Sequence, residues 1–132
     1  MRDDAELLAT LEEHLRAIYD GDFGRYQAST APDLTLYEYF VTPHRQEGLA
    51  FHQFMIERRW ATGGAPYQLS LLEPKVQWLA EGQVAVASYT LLLSVSGSEL
   101  THRTHNETRV LEKREGRWVV VHVHKSPAGA NG

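Results

Sequence analysis

An α+β fold, with helices packed on one face of a curved antiparallel sheet, is predicted by three features of the sequence. Apolar residues recur at helical spacing only before Pro66. After Pro66 the chain is rich in β-branched and aromatic residues. Pro74, Glu81-Gly82, Ser96-Gly97-Ser98 and Glu115-Gly116 punctuate that second half in the manner of turns.

The elements follow in order. Asp3, with Glu6 three positions later, starts a helix whose apolar face carries Leu7, Leu8, Leu11, Leu15, Ile18 and Tyr19, and Gly21 stops it. Asp22 caps a short second helix with Phe23, Tyr26 and Ala28, which Pro32-Asp33 breaks. Leu34 to Val41 reads as a strand ending at Pro43, with Glu38 inside it. From Glu47 the spacing of Phe51, Phe54, Met55 and Trp60 is helical until Gly63-Gly64-Ala65-Pro66. Strands are expected near 67–73, 75–80, 83–95, 100–113 and 117–126. One domain, 1–126, is therefore expected, with a flexible tail over 127–132.

Composition narrows the function. With 42% hydrophobic and 23% charged residues the chain can bury enough apolar area to fold. Its net charge of −4 argues against nucleic acid as a partner, because phosphate binding needs a clustered cationic surface. Cys is absent, which removes disulfides, thiolate metal sites and Cys nucleophiles. Met1-Arg2-Asp3-Asp4 is too polar for a signal peptide, and no apolar run reaches the roughly 20 residues of a membrane span. A cytoplasmic protein with no membrane partner is expected. No Ser/His/Asp order, phosphate-binding Gly loop or paired-carboxylate spacing is recognisable, and no cofactor is expected.

The late strands do not alternate cleanly. Val84-Ala85-Val86-Ala87, Leu91-Leu92-Leu93 and Val119-Val120-Val121 with Val123 are apolar toward both faces. Helices can cover one face. The other is covered either by the curvature of the sheet itself or by a second copy of the chain, and the pattern favours the second copy because two-sided apolarity is a liability in a monomer.

Four of the seven His, and six basic residues against three acidic ones, fall between positions 101 and 125. Lys113, Arg114 and Arg117 flank a hairpin tip and are expected in solvent. Arg109 lies mid-strand, and an inward guanidinium there needs Glu38, Glu107 or a ligand as partner; with Lys125 it makes a small carboxylate a candidate ligand. His122 and His124 share a strand face, but a metal site needs a third ligand, and His52, His102 and His105 stand at no diagnostic spacing, so no metal is expected. An inward Glu38 beside Tyr37, Tyr39 and Phe40 has two readings. Desolvation can raise its proton affinity and make it a general base, or a cationic partner such as Arg109 can hold it ionised as a structural group.

Asp20-Gly21-Asp22-Phe23, Leu34-Thr35 with Glu38, Glu47-Gly48-Leu49 with Phe51-His52, Phe54 and Trp60, and above all Glu107-Thr108-Arg109-Val110, Gly116-Arg117-Trp118 and Val121-His122-Val123-His124 carry a resemblance. Across nearly its whole length the chain resembles the association domain of calcium/calmodulin-dependent protein kinase II. That family belongs to the nuclear-transport-factor-2-like superfamily of cone-shaped, cystatin-like α+β folds, which also holds ketosteroid isomerases and polyketide cyclases. The resemblance implies a homo-oligomerising module, with dimers formed through the sheets and rings built from them. Because the chain begins where the association domain begins, it implies neither kinase activity nor calmodulin binding. It implies a cavity lined by basic side chains, with Arg109 at one such position, Lys125 replacing an Arg at another, Thr90 where a further Arg is usual, and His52 facing the pocket. Tyr37, His52, Arg109, His122, His124 and Lys125 are the candidate ligand-binding residues. In the alternative reading, a small-molecule isomerase or dehydratase, Glu38 is the catalytic base.

Overall fold

A computed structural model describes residues 3–129. Its elements run α1 (Asp4–Tyr19), α2 (Phe23–Ala28), β1 (Thr30–Tyr37), β2 (Gln46–Glu47), α3 (Ala50–Met55), a π-helical turn (Ile56–Trp60), β3 (Tyr67–Leu79), β4 (Val84–Ser96), β5 (Leu100–Arg114) and β6 (Arg117–Pro127). Six strands form one sheet in the order β2-β1-β6-β5-β4-β3.

Local chemistry accounts for the helices. The Asp3 carboxylate accepts from the Glu6 backbone N–H at 3.1 Å, and Asp22 does the same for Arg25 at 3.1 Å. Along α1, Leu7, Leu11, Leu15 and Ile18 are buried against the sheet, each contributing roughly 2 kcal/mol of apolar burial. After α1, Gly21 takes φ +73, and a Cβ there would stand 2.9 Å from the Ala61 Cβ, so the turn admits little else.

The sheet is mixed. β3, β4, β5 and β6 form the expected antiparallel meander, while β1 joins β6 in parallel, pairing Leu36 with Val123 and Tyr37 with His124. A parallel pair needs a long crossover, and everything between β1 and β6 supplies it. Four local expectations are corrected. β3 is one strand and not two, because Pro74 sits at a bulge between Leu72 and Lys75 where Glu73 adopts φ 49. Pro32-Asp33 lies inside β1, at the irregularity between Thr30 and Thr35, and does not precede the strand. β1 ends at Tyr37, which leaves Glu38 just past the strand in a turn closed by N–H donation from Val41 and Thr42 to its carbonyl. Gln46–Glu47 pairs with β1 before α3 begins at Ala50, so the helix starts later than Glu47. Pro127 closes β6, and of the expected tail positions 130–132 lie outside the described residues.

Curvature gives the sheet an inner face closed by α1, α2 and α3. Ala85, Ala87, Leu91 and Leu93 of β4 point into that core with Leu34, Leu36, Leu111, Val120 and Val123. The alternate residues Val84, Val86 and Leu92 are only partly buried on the outer face, where the register sets Leu79 opposite Val84 and Val86 opposite Val110. Leu79 and Leu72 are 53% and 41% exposed.

Candidate functional site

Seven polar or charged residues are buried among the described residues, and four of them were singled out from the sequence: Glu38, His52, Arg109 and Lys125. β6 delivers Lys125 to the inner face, the turn after β1 delivers Glu38, and α3 delivers His52 from the opposite layer. Glu38 Oε1 accepts from Lys125 Nζ at 3.0 Å and lies 2.8 Å from His52 Nε2. The second ring nitrogen of His52, Nδ1, meets the hydroxyl of Tyr26 from α2. The Lys125 ammonium also lies over the Trp60 ring, 4.5 Å from its centroid, and 5.9 Å from that of Phe40.

A second buried cluster adjoins the first, since the register places Glu107 opposite Lys125. Glu107 and Arg109 share one face of β5 and form an ion pair, with Arg109 Nη1 bonded to Glu107 Oε1 and to the Tyr89 hydroxyl at 3.2 Å. Tyr89 donates to Glu107 at 2.7 Å, and His105 holds the other Glu107 oxygen. Arg109 Nε and Nη2, Glu38 Oε2 and His14 Nε2 are buried without a hydrogen-bond partner among the described residues. His14, from α1, fixes its other nitrogen against Ser29 Oγ at 2.7 Å.

Electrostatics follow from burial and pairing. Burial pushes the Glu38 carboxyl upward, but the Lys125 ammonium and the His52 hydrogen bond outweigh it, and the group ends below its ordinary range. The raised proton affinity of the general-base reading is therefore corrected: Glu38 is held ionised, by Lys125 and His52 and not by Arg109. Burial takes His52 down to about 4, against which its bond to Glu38 acts only partly. Glu107 is desolvated too, yet Arg109 and His105 keep it well below the usual carboxylate range, and Glu107 in turn raises Arg109 against its own burial.

Beside these clusters lies a recess of about 540 Å³. Tyr19, Tyr39, Phe40 and Trp60 form an aromatic side, and Arg103 and Lys125, with His105 beside them, a basic one. Of the candidate residues only Lys125 lines it; Arg109, His52 and Glu38 stand behind the wall. Tyr37, His122 and His124 are on the opposite, outer face, which corrects their grouping with the cavity. There Thr35 Oγ1 meets His122 Nδ1 at 2.8 Å, and the Tyr37 and His124 ring centroids are 5.1 Å apart. Thr90 also faces outward, bonded to Asn106 at 2.7 Å, so its lack of a guanidinium does not bear on the recess. Tyr26 and His14 are functional candidates that sequence reasoning missed. His14 left a signal, a polar residue on the apolar face of α1 between Leu11 and Ile18. Among the described residues no group of three His, Asp or Glu side chains is placed to hold a metal ion, and no helix is long and apolar enough to cross a membrane.

A curved sheet closed over helices, with charged groups paired inside the cone, is the nuclear-transport-factor-2-like fold. A superfamily protein so described from Salmonella enterica serovar Typhimurium, 18% identical, superposes with a TM-score of 0.75 over 97% of this chain and 92% of that one. The chain belongs to the calcium/calmodulin-dependent protein kinase II association domain family, whose profile it matches over residues 3–129. It is similar to the kinase type II subunit delta of Oryctolagus cuniculus, with 31% identity over 122 residues, covering 92% of this chain and 23% of that protein. The chain thus spans about a quarter of that relative's length. It is also similar to the hub homology domain of Chlamydomonas reinhardtii, at 30% identity and a TM-score of 0.87, covering 98% of this chain and all of that one.

Proposed function

We propose that this chain is a self-associating domain that pairs with copies of itself through the outer face of its sheet, and whose recess takes up a small carboxylate. The observation that carries the first part is the outer ladder of Leu72, Leu79, Val84, Val86, Leu92 and Val110, apolar side chains left exposed or only partly buried, with no helix among the described residues covering them. Membership of a family described by association, and similarity to a structure described as a hub, support the same reading. A charge placed in the middle of the ladder tests it: Val86→Lys lowers the mass in solution while leaving the far-ultraviolet circular dichroism unchanged. An unchanged mass argues against this face.

The carboxylate reading is supported by Lys125, Arg103 and His105 along one wall of the recess. Acetate raises the melting temperature of the unaltered protein, and Lys125→Gln removes that rise. Acetate without effect on the unaltered protein removes the reading. The pairing of Glu38 with Lys125 sets the isomerase or dehydratase reading behind it.

A further inference from the structure

Lys125 touches both the recess and the buried polar chain behind it. That chain continues from Lys125 through Glu38 and His52 and ends on a residue of a different layer, the Tyr26 hydroxyl. All four side chains are at most 4% exposed, so water does not compete for these contacts.

Hydrogen-bond inventory then sets the direction of each bond. An ionised Glu38 can only accept, so the two protons around its Oε1 come from Lys125 Nζ and from His52 Nε2. A neutral imidazole carries one ring proton; if it sits on Nε2, Nδ1 is a bare lone pair and the proton in the remaining contact must be the phenol's. Burial acts consistently with this, pushing the His52 ring down and the Tyr26 hydroxyl up, so that the ring stays neutral and the phenol keeps its proton.

We propose that Tyr26 is a positioning residue, donating its hydroxyl proton to His52 Nδ1 and so fixing His52 as the Nε2–H tautomer that orients Glu38 and, through it, Lys125 at the wall of the recess. Tyr26 is itself anchored: its ring packs on His14 with centroids 4.8 Å apart, and its carbonyl accepts from Thr30 Oγ1 at 2.6 Å. The effect on the recess rests on the carboxylate reading. The direction of the bond does not.

Nitrogen-15 histidine labelling of the intact chain, read near neutral pH by long-range proton–nitrogen correlation, decides it. His52 is assigned by its loss in His52→Gln. The expected spectrum has a protonated Nε2, an unprotonated Nδ1, and a protected phenolic proton coupled to Nδ1 that is missing in Tyr26→Phe. A proton on Nδ1 in the unaltered protein overturns the proposal, whether or not any variant folds. The second readout is acetate affinity, taken from the melting shift. Tyr26→Phe weakens it about tenfold, the scale of one lost hydrogen bond in a charged chain, while Tyr67→Phe, which removes only a hydroxyl bonded to Asp20 outside the recess, leaves it unchanged. Affinity in Tyr26→Phe equal to that of the unaltered protein overturns the positioning role. Absence of any acetate effect on the unaltered protein disposes of the carboxylate reading alone, and the spectrum still decides the bond.

Discussion

Lys125 Nζ sits 3.0 Å from Glu38 Oε1 with both side chains almost wholly removed from solvent, although they stand 87 positions apart in the chain. The parallel pairing of β1 with β6 makes the contact. It sets Tyr37, the last residue of β1, beside His124 within β6, and the residue after each carries one partner of the pair. The same pairing occupies Glu38 Oε1 and holds the Lys125 ammonium at the recess wall.

Breaking that pair on one side is expected to be costly. Lys125→Met leaves the Glu38 carboxylate buried with only His52, and urea unfolding is expected to show a loss of about 3–5 kcal/mol. The double variant Lys125→Met with Glu38→Leu is expected to recover much of the loss, since neither charge then remains. Equal instability of the single and double variants contradicts the pairing account.

Stability is expected to fall in acid in two stages. His52 has a folded value of about 4 against an ordinary 6.5, so the folded state binds fewer protons than the unfolded one across that window. Stability is therefore complete above 6.5 and declines as pH falls from 6.5 toward 4, by about 3 kcal/mol in all from this group. His14 is displaced in the same direction by burial and Arg109, and adds to the decline. Below 4.5 the depressed carboxyls of Glu107 and Glu38 add a second loss, because protonating them breaks pairs present only in the folded state. Melting temperatures across this range check the sequence of events, and His52→Gln is expected to flatten the first stage. A melting temperature at pH 5 equal to that at pH 7.5 contradicts it.

Gly21→Ala is expected to destabilise the domain by about 1–3 kcal/mol, since the residue holds a left-handed φ and the added methyl meets the Ala61 Cβ. Thermal unfolding measures it. An unchanged midpoint means the α1–α2 turn is less tightly packed against Ala61 than described.

What could be read from the sequence was mostly what local chemistry decides. The Asp3 and Asp22 caps depend on a neighbour three residues away, and the Glu115-Gly116 hairpin on two residues able to take positive φ. Arg109 was legible as an inward cation, and Glu107, two residues back on the same strand face, was among its named partners. The choice between Glu107 and Glu38 was not legible, because it depends on strand order, and the parallel β1–β6 contact leaves no mark in either segment. His122 and His124 were read as a pair on one face, which they are, but nothing local says which face looks inward. A bulge between Val110 and Leu111 of the β5–β6 ladder shifts the count in that region. Pro74 misled for the opposite reason: Pro is a good strand terminator in general, yet β3 is an edge strand and tolerates it at a bulge.

Mass in solution tests the central claim most directly. Light scattering on the unaltered protein at micromolar concentration is predicted to give at least twice the 15.0 kDa of one chain, because on this account the apolar outer ladder from Leu72 to Val110 pairs with another copy. A single species of 15.0 kDa, unchanged as the concentration rises, contradicts the account.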